Sequence, residues 1–116
     1  MRVSDSWVDF VFNAILLEGY EYPYYQTREI LETGEVKSYT GSLKALWLLY
    51  AAHEALLLME DPNCTVEQIS ETILFTGTTV SEEWSKRWVE NFQRRQRQEP
   101  ILIYKEGGAE PWKWAD

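Results

Sequence analysis

The stretch "SLKALWLLYAAHEALLLMED", residues 42–61, decides the fold. Its polar residues Lys44, His53, Glu54 and Glu60 do not share one side of a helical wheel, and Pro62 closes the run. A helix that is apolar almost all round is a buried one. The pattern therefore predicts a central helix over 42–61, packed on several sides by shorter ones.

The flanking segments read as those shorter helices. Ser6 with Asp9 resembles an opening cap, and Trp7, Phe10, Val11, Ala14, Ile15 and Leu17 follow at helical spacing up to Gly19. The connection "YEYPYYQ" follows, broken by Pro23, and 27–33 reads as a short helix closed by Gly34. Beyond the central helix, "TVEQ" (65–68) and "TVSE" (79–82) both fit a capping box. Val66, Ile69 and Ile73 keep the helical period after the first box, and Trp84, Trp88 and Phe92 after the second. Pro100 ends the last helix, and "ILIYK" predicts a short strand near 101–104. The fold class is mainly α, a small bundle of about five helices. One globular domain spans 1–105, and 106–116 is a C-terminal tail carrying Trp112 and Trp114 beyond a Gly-Gly pair.

Composition narrows the setting. A 116-residue chain that is 45% hydrophobic can bury a core without disulfides or metals. Cys64 is the single cysteine, which fits a reducing, cytoplasmic location. Residues 1–12 carry Asp5 and Asp9 where a leader would be basic and then apolar, and no apolar run reaches membrane length. The net charge of −8 disfavours direct contact with nucleic acid, which needs a cationic footprint. Lys86, Arg87, Arg94, Arg95 and Arg97 do cluster near Trp84, Trp88 and Phe92. Tryptophans four apart read as core, however, and arginines at a helix end complement its dipole.

Most chemistries find no constellation here. One histidine, His53, and one cysteine cannot build a zinc site, so no metal and no cofactor are expected. His53 lies within the most apolar helix, where a packed histidine is the simpler reading than a catalytic base. "TGTT" at 76–79 opens toward a helix, but Glu82 and Glu83 in its first turn would repel a phosphate, and no Gly-x4-Gly-Lys loop occurs. No catalytic residues are assigned, and enzyme activity is not expected.

"NAILLEGY" (13–20) followed by "TREILETGEVKSYTGSLKALWLLYAAHEALLLM" (27–59) resembles the N-terminal part of Fic-domain proteins, over about residues 13–75. That resemblance implies that Glu18 corresponds to the family's inhibitory glutamate, which obstructs nucleotide binding. Ala14 stands where the family motif has Ser or Thr, and "AILLEG" is one residue longer than the family's "AIEG". The catalytic His-Pro-Phe and Asp-Gly-Asn-Gly-Arg motif is missing from the sequence, so AMP transfer is not implied.

The aromatic residues outside the helical stripes carry the functional expectation. Tyr22, Tyr24, Tyr25, Trp112 and Trp114 sit at a break or in the tail, and tyrosine and tryptophan are favoured interface anchors. Combined with the acidity, they predict a non-catalytic protein-binding module whose partner has a basic surface. By class analogy this is an inhibitor of the phage anti-defence or toxin-immunity type, acting on a nucleic-acid-handling protein. A phage-type structural or assembly subunit is the alternative, its apolar helix completed by burial in an oligomer, whereas the inhibitor reading allows a monomer or a closed homodimer. A Fic-related remnant that binds nucleotide or regulates a Fic partner is a further alternative.

Overall fold

The chain runs α1 (Asp5–Leu17), α2 (Tyr24–Thr33), α3 (Leu43–Leu58), α4 (Val66–Leu74), α5 (Glu82–Gln96), β1 (Leu102–Tyr104) and β2 (Trp112–Trp114). This is a computed structural model that describes residues 1–74, 82–104 and 112–114. Its class is mainly α, a small bundle. α3 packs between α2 and α4, α5 packs on α4, and α1 lies against α2, α3 and β1. None of the described helices is long and apolar enough to cross a membrane.

Local chemistry sets most of the helix ends. Ser42 caps α3 by accepting from the Ala45 N–H at 3.1 Å. The box at 65–68 is complete: Thr65 Oγ1 accepts from the Gln68 N–H at 3.2 Å, and Gln68 Oε1 accepts from the Thr65 N–H at 2.9 Å. The first cap is Ser4 and not Ser6: Ser4 Oγ accepts from the Trp7 N–H, while Ser6 is already helical and buried. Pro23 is the N-cap of α2, so the helix begins at Tyr24, three residues earlier than the sequence pattern placed it. The "TGTT" turn and most of the "TVSE" box lie outside the described residues.

Gly34 closes α2 in the left-handed region, at φ 68°. Its missing side chain is required twice over. A Cβ at this position would stand 2.6 Å from His53 Nε2. The other ring nitrogen, Nδ1, lies 2.6 Å from the carbonyl oxygen of Leu31. A carbonyl can only accept, so Nδ1 carries the proton and His53 locks α3 onto the last turn of α2.

The core joins the inner faces of all five helices. The α3 face that points into it holds Ala45, Leu48, Leu49, Ala52, Ala55 and Leu56, all buried. Trp7 and Phe10 of α1 meet Trp84 and Trp88 of α5 through ring contacts at centroid distances of 5.2–5.6 Å. The burial expected of this almost wholly apolar helix is confined to one face. Leu43, Trp47 and Leu57 are exposed, and with half-buried Tyr50 they form a stripe opposite the buried face. The sequence could not separate the two faces because both are apolar.

Extended segments are held by helix side chains that take the place of sheet partners. Asn91, buried on α5, donates from Nδ2 to the Leu102 carbonyl at 2.9 Å and accepts from the Leu102 N–H at 2.8 Å. Gln26, buried on α2, donates to the Ser38 carbonyl and accepts from the Thr40 N–H at 3.1 Å. Glu32 Oε2 accepts from the Val3 N–H at 2.8 Å, and Arg28 donates to the Val3 carbonyl at 2.7 Å. β1 itself pairs antiparallel with β2, Ile103 opposite Lys113. Residues 112–114, expected within a loose tail, thus return to the domain through their backbone.

Two substitutions test this packing. Leu49 is fully buried, and Leu49→Asp should abolish cooperative unfolding, since an unpaired buried carboxylate costs several kcal/mol. Gly34→Ala should cost about 1–3 kcal/mol, combining a positive φ with the collision against His53. Urea denaturation measures both, and a wild-type midpoint for Gly34→Ala would remove His53 from that turn.

Candidate functional site

The acid–tyrosine edge of α1 and α2 is built from the break at Pro23. Because α2 starts immediately after the proline, Tyr24 and Tyr25 occupy its first turn and diverge by about 100° around its axis. Tyr24 points toward α1, where its hydroxyl donates to Asp9 Oδ1 at 2.5 Å. Its ring stands edge-on to Phe12, 4.9 Å between centroids. Tyr25 points outward and is 64% exposed, against 43% for Tyr24.

Tyr22 has a different role from the one expected of it. It is buried, its ring 5.2 Å from Phe12 on the core side, so it supports the edge from below and offers no outer surface. Burial pushes its phenol well above the ordinary range. Burial also raises the Tyr24 phenol, and the Asp9 hydrogen bond and charge add to it, up to about 12. Both phenols stay protonated at neutral pH, and that of Tyr24 donates to Asp9.

Charge surrounds the pair. Asp9 accepts from Tyr24, and Asp5, one turn earlier on α1, is ion-paired with Arg28. Arg28 is also 3.5 Å from Glu32. Glu21 precedes the tyrosines as an exposed residue, and Glu29 lies one turn after Tyr25. The edge is thus an aromatic patch in an acidic frame whose cation is already bonded.

The remaining sequence candidates fall elsewhere. Glu18 is the exposed C-cap of α1. The side chains of Trp112 and Trp114 lie outside the described residues, and only their strand backbone is placed. Trp84 and Trp88 are buried in the ring cluster.

The basic end of α5 is largely neutralised. Arg94 lies 3.3 Å from Glu90 and 3.8 Å from Glu99, and Arg97 lies 2.9 Å from Glu99. Arg97 holds the Glu99 carboxyl below its usual range. Arg95 donates to the Met59 carbonyl at 3.0 Å. Beside it, two recesses of about 200 and 310 Å³ share Ser4, Trp7 and Arg95. Ser4 is engaged as the α1 cap and Arg95 on Met59, while Glu60 lines the first recess and Glu99 the second. Cys64 is buried, and burial followed by the charge of Asp61 raises its thiol, away from nucleophilic use. Among the described residues no three His, Cys, Asp or Glu side chains converge on a point.

The tyrosine edge makes a titration prediction. A phenol raised on folding stabilises the fold fully below the unfolded value of 10, and that contribution fades as pH rises toward about 12. Absorbance titration should show tyrosines ionising late, and Tyr24→Phe should remove one of them. An unchanged late class in Tyr24→Phe would break the Asp9 assignment. Comparison of the chain with protein-family models, curated proteins and solved structures gave no significant match.

Proposed function

We propose that this chain is a non-catalytic protein-binding module, an acidic inhibitor that covers the basic surface of a nucleic-acid-handling protein. Phage anti-defence and toxin-immunity proteins work in this way, and the class is reached by analogy of charge and size. The observation that carries the reading is Tyr25, 64% exposed on a short helix beside the Tyr24–Asp9 pair. A tyrosine brings large contact area with few rotatable bonds, and it concentrates binding energy when acids around it exclude wrong partners.

Charge placement supports the same reading. At least three of the eleven cations are engaged internally, Arg28 on Asp5 and Glu32 and Arg94 and Arg97 on Glu90 and Glu99, and the nineteen acids outnumber the cations by eight. The uncompensated field is negative, which draws a basic partner and repels nucleic acid. Inhibition is then steric and electrostatic: the domain occupies the cationic surface that phosphates would use.

Binding kinetics test the proposal on a partner recovered from the native host. Association should slow steeply as salt rises, with dissociation changing less. Tyr25→Ala should weaken binding by about 2 kcal/mol and leave the melting temperature unchanged. The partner's action on nucleic acid should stop at stoichiometric addition. Binding that ignores both salt and Tyr25 would refute the reading.

A further inference from the structure

The exposed face of α3 carries a second interaction surface, unrelated to the tyrosine edge. Leu43, Trp47, Tyr50, Glu54 and Leu57 succeed one another at spacings of four, three, four and three. That is the a/d seam of a coiled coil over two heptads. It spans about 21 Å at 1.5 Å per residue. Leu43 is 73% exposed, Trp47 56% and Leu57 41%, while Tyr50 is half-buried. Apolar residues fill four of its five positions, and the fifth is a glutamate.

The charges on this face say what covers it. Lys44 flanks the N-terminal end of the seam, and Glu54 lies in its C-terminal half. They are ten residues apart, about 15 Å along one helix, too far to pair within the chain. Among the described residues neither has an ion-pair partner in its own chain. A second copy laid antiparallel changes this. When Trp47 faces Tyr50 of the second copy, Lys44 comes level with residue 53 and adjoins Glu54 of that copy. The two-fold axis repeats both contacts, as an isologous interface requires. A parallel copy would instead set Lys44 against Lys44 and Glu54 against Glu54.

We propose that α3 forms an antiparallel homodimer centred on Trp47 and Tyr50, with Leu43 packing beside Glu54 of the second copy, Leu57 level with the segment before its α3, and Lys44 and Glu54 fixing its direction. Trp47 is the central anchor, an aromatic side chain at the middle of the seam. Glu54 acts as the polar seam position that selects one register. The dimer does not depend on the inhibitor reading: it uses a different helix, and its assay needs no partner.

Analytical ultracentrifugation of the full chain over a dilution series measures the association. A reversible monomer–dimer equilibrium is expected, weakened about tenfold or more by Trp47→Glu. Because Trp47 is exposed, the variant should keep the wild-type melting curve at low concentration. Charge exchange then tests the geometry. Lys44→Glu and Glu54→Lys should each weaken self-association, while an equimolar mixture of the two should form a heterodimer as strong as wild type. A chain that is monomeric at every concentration overturns the proposal and leaves the stripe to a different occupant. So does a dimer indifferent to Trp47→Glu, or a mixture no stronger than its components.

Discussion

Four rings close this fold. Trp7 and Phe10 of α1 interleave with Trp84 and Trp88 of α5, bringing together residues about eighty positions apart in sequence. The helix axes need not approach closely, because three tryptophans and a phenylalanine fill the gap between them. α2, α3 and α4 then pack in sequence order between the two ends of the chain. Without the rings, α5 would keep its packing on α4 and the Arg95 bond to Met59 but lose its hold on α1, and with it the support of the helix whose Asn91 holds β1.

A bundle with so little β structure faces a particular cost: its extended segments must find partners for their backbone groups. Here helices provide them. Arg28 and Glu32 bracket Val3, Gln26 brackets Ser38 and Thr40, and Asn91 brackets Leu102. In each case donor and acceptor come from side chains set at fixed height on a rigid helix. The amides suit this use because one group offers both functions in a plane. These contacts fix the entry to α1, the link from α2 to α3 and the path after α5, so the tyrosine edge and the α3 face rest on a determined frame.

Much of that frame is legible in the sequence, for reasons that also mark its limits. Helix existence follows from apolar period and from caps, and the box at Thr65–Gln68 forms as its letters predict. The strand at 102–104 follows from a β-rich run after a proline. Four features are not legible there. Ser4 and Ser6 are equal as cap residues on paper, and only the path of the chain after Val3 selects Ser4. Tyr22 and Tyr25 have the same composition context, yet Pro23 turns one inward and leaves the other on a helix surface. Nothing in the sequence marks Gln26 and Asn91 as buried brackets, because a sequence does not show which backbone will arrive beside them. The α3 face was hidden by its own chemistry: an apolar residue facing water has the same letter as one facing the core.

The two candidate surfaces divide the molecule's chemistry between them. On the α1–α2 edge, phenol hydroxyls and carboxylates are arranged so that a tyrosine is anchored by one acid and framed by others. Such a surface loses little by staying wet, since Asp9, Asp5 and Arg28 are already bonded and its exposed carboxylates are served by water, and it suits a partner that comes and goes. On α3 the situation is reversed. Leu43, Trp47 and Leu57 have no polar function to satisfy, so water contact there is a standing cost that burial removes. A chain carrying net −8 still resists meeting its own copy, because like fields repel. The seam answers that repulsion locally: Lys44 and Glu54 sum to zero and exchange partners across the two-fold. Raising salt screens the global repulsion over about 8–10 Å while leaving apolar burial intact. Self-association should therefore strengthen with moderate salt, opposite in sign to the weakening expected for a basic partner, and the two surfaces are separable by ionic strength alone.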